Sequence, residues 1–299
     1  MAVSIDIADI ARQRDRSFTG TWNGVTLRSA FQPIFAFQDS RLSIAAYEAL
    51  ARPYCQGDEM PPDQFFPTVP AIDRLHVETL SRTVHLLNAA EFLSEETAVF
   101  INFDPSLFAA RSVSDASLRE IRRIMDRGGI APERLVCEVT EQTSSSDVAL
   151  FGFVEALRGH GFRVAVDDFG AKDSDIHRID RLKPDIVKFD ADWISKLMQS
   201  GPGYALLAQM VATFRARGIA TVFEGVEQGW QLELADKCGV SMVQGFGLAR
   251  PVIVPAVFAV PIRETLAVDA EDPAEPETAE MAEAPARSRP FGRRGAAQG

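Results

Sequence analysis

The chain has 299 residues, 46% hydrophobic and 24% charged, with a net charge of −11 at pH 7. That composition supports a soluble globular core and speaks against a nucleic-acid polymer as partner, because such binders carry a basic face. Cys55, Cys137 and Cys238 lack metal-ligand spacing, which predicts reduced thiols in a cytoplasmic protein, and no window reaches the ~18 apolar residues of a membrane span.

The opening stretch, MAVSIDIADIARQRDR, alternates acids and bases without an apolar run, unlike a secretory signal. Residues 1–26 read as a mobile lead-in or a short helix. Strand-like runs follow at 31–37 and 43–51, then a helical pattern at 77–93 and a strand at 98–103. A helix is predicted at 115–127 with Ser114 as its N-cap, a strand at 134–140, a helix at 147–160 and a strand at 163–166. Strands at 186–189, 220–223 and 241–244 alternate with helices at 204–217 and 231–237. From residue 264 the text turns rich in Ala, Pro and Glu and closes on Arg287, Arg289, Arg293 and Arg294. Such a segment buries too little apolar surface to offset its ordering entropy, so 264–299 is predicted to be a disordered, solubilising tail, with contact of its arginines to an acidic protein partner or a membrane as the second reading.

Eight strands interleaved with helices across residues 27–263 predict an α/β fold, a (β/α)8 TIM-like barrel, whose usual size is ~250 residues. The alternative, an open doubly wound sheet, wants a Gly-rich turn after its first strand, and none is present. Active-site groups of barrels stand at the C-terminal strand ends. Here those ends carry Glu48, Asn102, Glu138 with Glu141, Asp167 with Asp168, Lys188, Glu224 with Glu227, and Gln244. Strand alternation sends Asp167 and Asp168 to opposite faces, and holding two carboxylates there is costly unless a cation sits between them.

Oxygen donors without histidine or thiolate suit hard divalent ions such as Mg²⁺ or Mn²⁺. The four histidines, His76, His85, His160 and His177, end no predicted strand. Adjacent aspartates let one carboxylate bridge two metals while its neighbour binds one. Metal pairs ~3.5–4 Å apart drive in-line displacement at phosphorus. Lys188 is placed to orient the water or neutralise developing charge. The strand ends therefore predict metal-dependent phosphoester hydrolysis.

The motifs FQPIF (31–35), YEALARP (47–53), INFDP (101–105), CEVTEQ (137–142), DDFG (167–170), IVKFD (186–190), EGVE (224–227) and QGFGLARP (244–251) together resemble an EAL domain. The resemblance implies a cyclic-di-GMP phosphodiesterase that yields linear pGpG, working as a homodimer. It implies that Glu48, Asn102, Glu138 and Asp167 bind one metal, and that Asp167, Asp168 and Glu224 bind the second. Lys188 would hold the attacking water, with Glu224 and Glu48 also catalytic. Arg52 would grip a phosphate, Gln32 would reach a guanine, and Gln244 and Glu227 would support or touch the substrate. Glu141 would pin a neighbouring loop. After DDFG the text departs from the pattern: Lys172, Asp173 and Asp175 replace its usual glycine and neighbours. The second expectation is thus a catalytically impaired receptor or protein-interaction scaffold.

Overall fold

The computed structural model describes residues 9–38, 41–108, 111–140, 147–171 and 176–258. Glu141, the departing loop at 172–175 and the tail with its arginines lie outside these described residues. The chain opens with strands β1 (Ile10–Arg12), β2 (Phe18–Trp22), β3 (Val25–Gln38), β4 (Arg41–Cys55) and β5 (Asp58–Glu59), then helices α1 (Pro62–Phe65) and α2 (Arg74–Phe92). Strands and helices then alternate through β6 (Ala98–Phe103), α3 (Arg111–Gly128), β7 (Leu135–Thr140), α4 (Asp147–Gly159), β8 (Arg163–Phe169), α5 (Ile176–Leu182) and β9 (Ile186–Phe189). Helices α6 (Ala191–Met198) and α7 (Gly201–Ala216), β10 (Ala220–Phe223), α8 (Gly229–Cys238), β11 (Met242–Val243) and β12 (Val252–Ile253) complete it. None of these helices is long and apolar enough to cross a membrane.

The eight predicted strands close into a barrel in the order β3-β4-β6-β7-β8-β9-β10-β11, with β3 pairing both β4 and β11. Seven strands run parallel; β3 runs antiparallel to both neighbours. The sequence pattern locates β3 but is silent on its direction. The region expected as a lead-in holds β1 and β2 instead, which form an antiparallel meander with the start of β3. Their small core, with Leu27, Phe65, Val77 and Leu80, explains why the segment is ordered. Helix α3 begins at Arg111, so Ser114 lies inside its first turn and is no N-cap.

Alternation along each strand separates two cores. Inside the barrel stand Ile34, Ala46, Phe100, Val136, Ala165, Ile186, Val222 and Met242, one from each strand. The mixture of bulky and small side chains fills the taper of a closed sheet. The neighbouring positions, such as Val99, Ile101, Val187 and Phe189, pack outward against the helices. This layer is what positions the chemistry: the next inward position on every strand is polar.

Candidate active site

Stepping two residues from the apolar layer toward the barrel mouth gives Glu48, Asn102, Glu138, Asp167, Lys188, Glu224 and Gln244. On β3, which runs the other way, the same step from Ile34 leads back to Gln32. Each barrel strand thus contributes one polar side chain to a ring. Strand stagger tilts it, so that Glu48 faces Phe100 across β4–β6 and Lys188 faces Val222 across β9–β10.

Lys188 is the hub of the ring, with 1% exposure. Its Nζ stands 2.6 Å from Glu138 Oε1, 2.7 Å from Glu224 Oε1, 3.2 Å from Asp167 Oδ1 and 3.7 Å from Glu48 Oε2. It does not pair with Asp190, which instead caps α6 by accepting the Trp193 N–H at 2.8 Å. Gln244 Nε2 donates to Glu48 Oε2 at 2.7 Å, fixing that carboxylate. Gln32 Nε2 donates to the Ala249 carbonyl at 3.1 Å, tying the loop after β11 to the ring.

The two adjacent aspartates reach one mouth because β8 carries a bulge. Between Val166 and Phe169 the pairing with β9 gains one residue, and Asp168 adopts a left-handed φ of +57°. A bulge re-aims a side chain that strict alternation would send away. Asp167, Asp168 and Glu224 each then offer an oxygen within 4.8 Å of the others. The bulge is held from outside by Trp193, which packs on Phe169 and Phe189. Gly170 follows at φ +101°, where a Cβ would come within 2.4 Å of Trp193.

Electrostatics set a clear demand. One lysine faces Glu48, Glu138, Asp167 and Glu224, with Asp168 beside them. Burial pushes Glu138 well above the usual carboxylate range and Glu224 up to about 8, in both cases against the pull of Lys188. Burial and the Asp167 charge raise Asp168. For Lys188, burial works against the charge, yet Asp167, Glu138, Glu224 and Glu48 outweigh it and hold the pKa well above normal. Glu138 Oε2 and Gln244 Oε1 are buried and accept no hydrogen bond among the described residues. Oxygen-only donors, two of them orphaned and several forced toward protonation, fit hard divalent cations.

The raised carboxyls tie stability to pH. With a folded pKa of about 8 against 4.5 unfolded, Glu224 contributes stability that is present at low pH and lost as pH rises through about 8. In chelator, the melting temperature is therefore expected to fall by roughly 5 °C from pH 6.5 to 9. Glu224→Gln should flatten that slope, and added Mn²⁺ should restore more stability at pH 9 than at pH 6.5. Calorimetric melts across the series check it.

Two candidates stand apart from the ring. Strand β4 continues to Cys55 beyond the barrel, so neither Glu48 nor Arg52 ends it. Arg52 lies four residues past Glu48, with its Nε 3.4 Å from Glu59 Oε1. Glu227 is exposed in the loop after β10, lining a cleft with Gln32, Glu48 and Gln244. Gly245 makes a close approach to the Val226 backbone: a Cβ there would lie 2.1 Å from the Val226 oxygen. The sequence reading missed Gln231. It is buried and accepts the Glu227 and Gln228 N–H groups on Oε1, both at 2.9 Å, bracing the loop that carries Glu224. Its signal was a glutamine at the third position of a helix start, the partner in a capping box.

The model of the EAL domain matches residues 20–251. The "Probable cyclic di-GMP phosphodiesterase PdeA" of Escherichia coli is 26% identical over 209 residues, covering 68% of this chain and 28% of the relative. Among solved structures, BlrP1 of Klebsiella pneumoniae in a manganese and cyclic-di-GMP complex superposes with a TM-score of 0.67 at 26% identity, covering 82% of this chain and 59% of that one. The YkuI protein of Bacillus subtilis, with an EAL domain and in complex with substrate c-di-GMP and calcium, gives 0.66 at 25% identity, over 76% and 56%. The chain thus spans from about a quarter to somewhat over half of these relatives.

Proposed function

This chain belongs to the EAL domain family by the match over residues 20–251, and on that ground we propose that it hydrolyses cyclic-di-GMP to linear pGpG with divalent metal ions. The observation that carries the reading is the ring, in which eight strands each aim one polar side chain at a single mouth and four carboxylates surround one lysine. Relatives named for cyclic-di-GMP and crystallised with calcium or manganese support the ligand and the metal class.

Glu48, Asn102, Glu138 and Asp167 would hold one ion, while Asp167, shared, would hold a second with Asp168 and Glu224. When bound, such ions lower the pKa of water and neutralise charge on the leaving oxygen. The chain's own groups do the positioning. Gln244 keeps Glu48 oriented through the 2.7 Å hydrogen bond. Lys188, lodged among the carboxylates, donates to the attacking water and fixes its line of approach to phosphorus. Glu224, 2.7 Å from that ammonium, takes the proton as the new P–O bond forms. The P–O3′ bond breaks, the 3′ oxygen leaves and takes up a proton to become the 3′ hydroxyl, and the phosphate stays on the 5′ oxygen of pGpG. Arg52 and Glu227 flank the mouth as substrate contacts.

Purified protein incubated with cyclic-di-GMP and Mg²⁺ or Mn²⁺ is expected to release pGpG, followed by chromatography, and to stop on addition of chelator. Tight binding without turnover would instead establish a receptor. That second expectation rests on Lys172, Asp173 and Asp175, which lie outside the described residues.

A further inference from the structure

A groove of about 710 Å³ opens where the turn between β2 and β3 meets the end of β5 and the loop between α1 and α2. Trp22, Val25, Met60 and Phe65 supply its apolar wall, and Asn23 and Asp73 part of its polar rim. Trp22 meets Phe65 edge to face, with the ring centroids 6.1 Å apart. Trp22 and Met60 also pack on the small core of Leu27, Phe65, Val77 and Leu80, so the groove is an opening in the side of that core. Ile72, next to Asp73, is 90% exposed. Apolar surface therefore continues past the rim.

Two observations say what arrives there. Strand β1 runs antiparallel to β2 and pairs it only as far as Gly20, opposite Ile10. The chain ahead of Ile10 thus heads along Thr21 and Trp22, toward the groove, beside a stretch of strand edge that β1 leaves uncovered. Asp9 then meets the start of α2, its Oδ2 lying 3.3 Å from His76 Nε2. Asp73 of the rim caps the same helix, about one turn away from His76. The polypeptide is held at the edge of the groove, with residues 1–8 ahead of it. Their sequence, MAVSIDIA, places Ser4 and Asp6 between Val3, Ile5 and Ile7. That period of two sets three apolar side chains on one face of an extended chain. Extended backbone advances about 3.3 Å per residue, so the step from Ile7 to Val3 covers roughly 13 Å, enough to cross a groove of this volume.

We propose that residues 3–7 lie across this groove as a strap in cis, with Val3, Ile5 and Ile7 against Trp22 and Met60 and with Ser4 and Asp6 turned to water. The occupant is this chain's own opening segment because Asp9 already anchors it at the rim. A short tether gives an effective concentration on the order of millimolar, which a second copy or another protein does not reach. Seated there, the strap closes the open side of the small core and braces α1 through Phe65.

Hydrogen exchange read by mass spectrometry tests this on the full chain, a deletion of residues 2–8, Ile5→Asp/Ile7→Asp and Ser4→Lys. The deletion removes none of the packing described above, and exchange in β7 reports whether the barrel is intact. Burying two isoleucines shifts a local opening equilibrium by at least about tenfold. Exchange over residues 21–25 and 60–73 is therefore expected to quicken by at least about tenfold in the deletion and in Ile5→Asp/Ile7→Asp. In Ser4→Lys, on the opposite face, it should keep the wild-type rate. Where β7 loosens as well, Ile5→Ala/Ile7→Ala decides by the same two segments. Equal exchange in wild type and deletion overturns the strap, as does a Ser4→Lys effect equal to that of the isoleucines. Wild-type exchange that slows as protein concentration rises assigns the groove to a second copy and overturns it too.

Discussion

Lys188→Met is expected to lower the melting temperature in chelator by roughly 10 °C and to abolish measurable pGpG formation. Among the described residues the lysine is the one cation beside four carboxylates, with 1% exposure. Removing one partner of a buried ion pair costs about 3–5 kcal/mol, because the remaining charge is left uncompensated. In a domain of this size each kcal/mol shifts the melt by roughly 2–4 °C. Protonation of Glu138 and Glu224, already raised by burial, relieves part of the loss, so the variant should melt higher at pH 6 than at pH 8. Divalent ions should restore much of the stability, since they replace the missing charge, yet not the turnover, since the water loses its donor. Scanning fluorimetry with and without chelator reads the first effect and chromatography of the product the second. A chelated variant that melts like wild type would remove Lys188 as the counter-ion of the ring.

Glu48→Gln should separate metal binding from architecture. Glu48 is 9% exposed and takes the Gln244 hydrogen bond at 2.7 Å, with Lys188 3.7 Å away. The amide is isosteric and removes one negative charge from a crowded acidic mouth, so the chelated protein should melt no lower than wild type. Groups that merely orient a metal ligand cost 10–100-fold when replaced, and a direct ligand should cost at least about 100-fold in turnover. Isothermal calorimetry with Mn²⁺ should show weakened ion uptake in parallel. Full activity in Glu48→Gln would place the metals elsewhere.

Much of the site was legible because a barrel converts strand position into spatial position. Seven of the eight strands were visible as short apolar runs carrying a polar residue at or near the C-terminal end, while β3 carries Gln32 near its start, and period-two alternation then fixes which residue faces inward. Lys188 between Val187 and Phe189 follows that rule. Asp168 breaks it: alternation alone sends it away from Asp167, and only the inserted residue in β8 with its left-handed backbone returns it to the mouth. Nothing in a pair of aspartates states that a bulge is present. The direction of β3 was likewise hidden, since hydrophobic pattern is the same read up or down. Short α5 and α6, of 7 and 8 residues, fall below the length at which helical periodicity separates from noise.

The reversed strand also decides where the polypeptide enters. Ile10 lies level with Gly20, and Gly20 with Leu27, five residues of β3 above Gln32, or about 16 Å beyond the ring. A module grafted ahead of Ile10 would therefore arrive on the catalytic face, within leverage of the rim, whereas in a barrel whose first strand ascends it would hang beneath the floor. Gating by an upstream fusion would then need no signal carried through the barrel wall, only a change in what overhangs its opening.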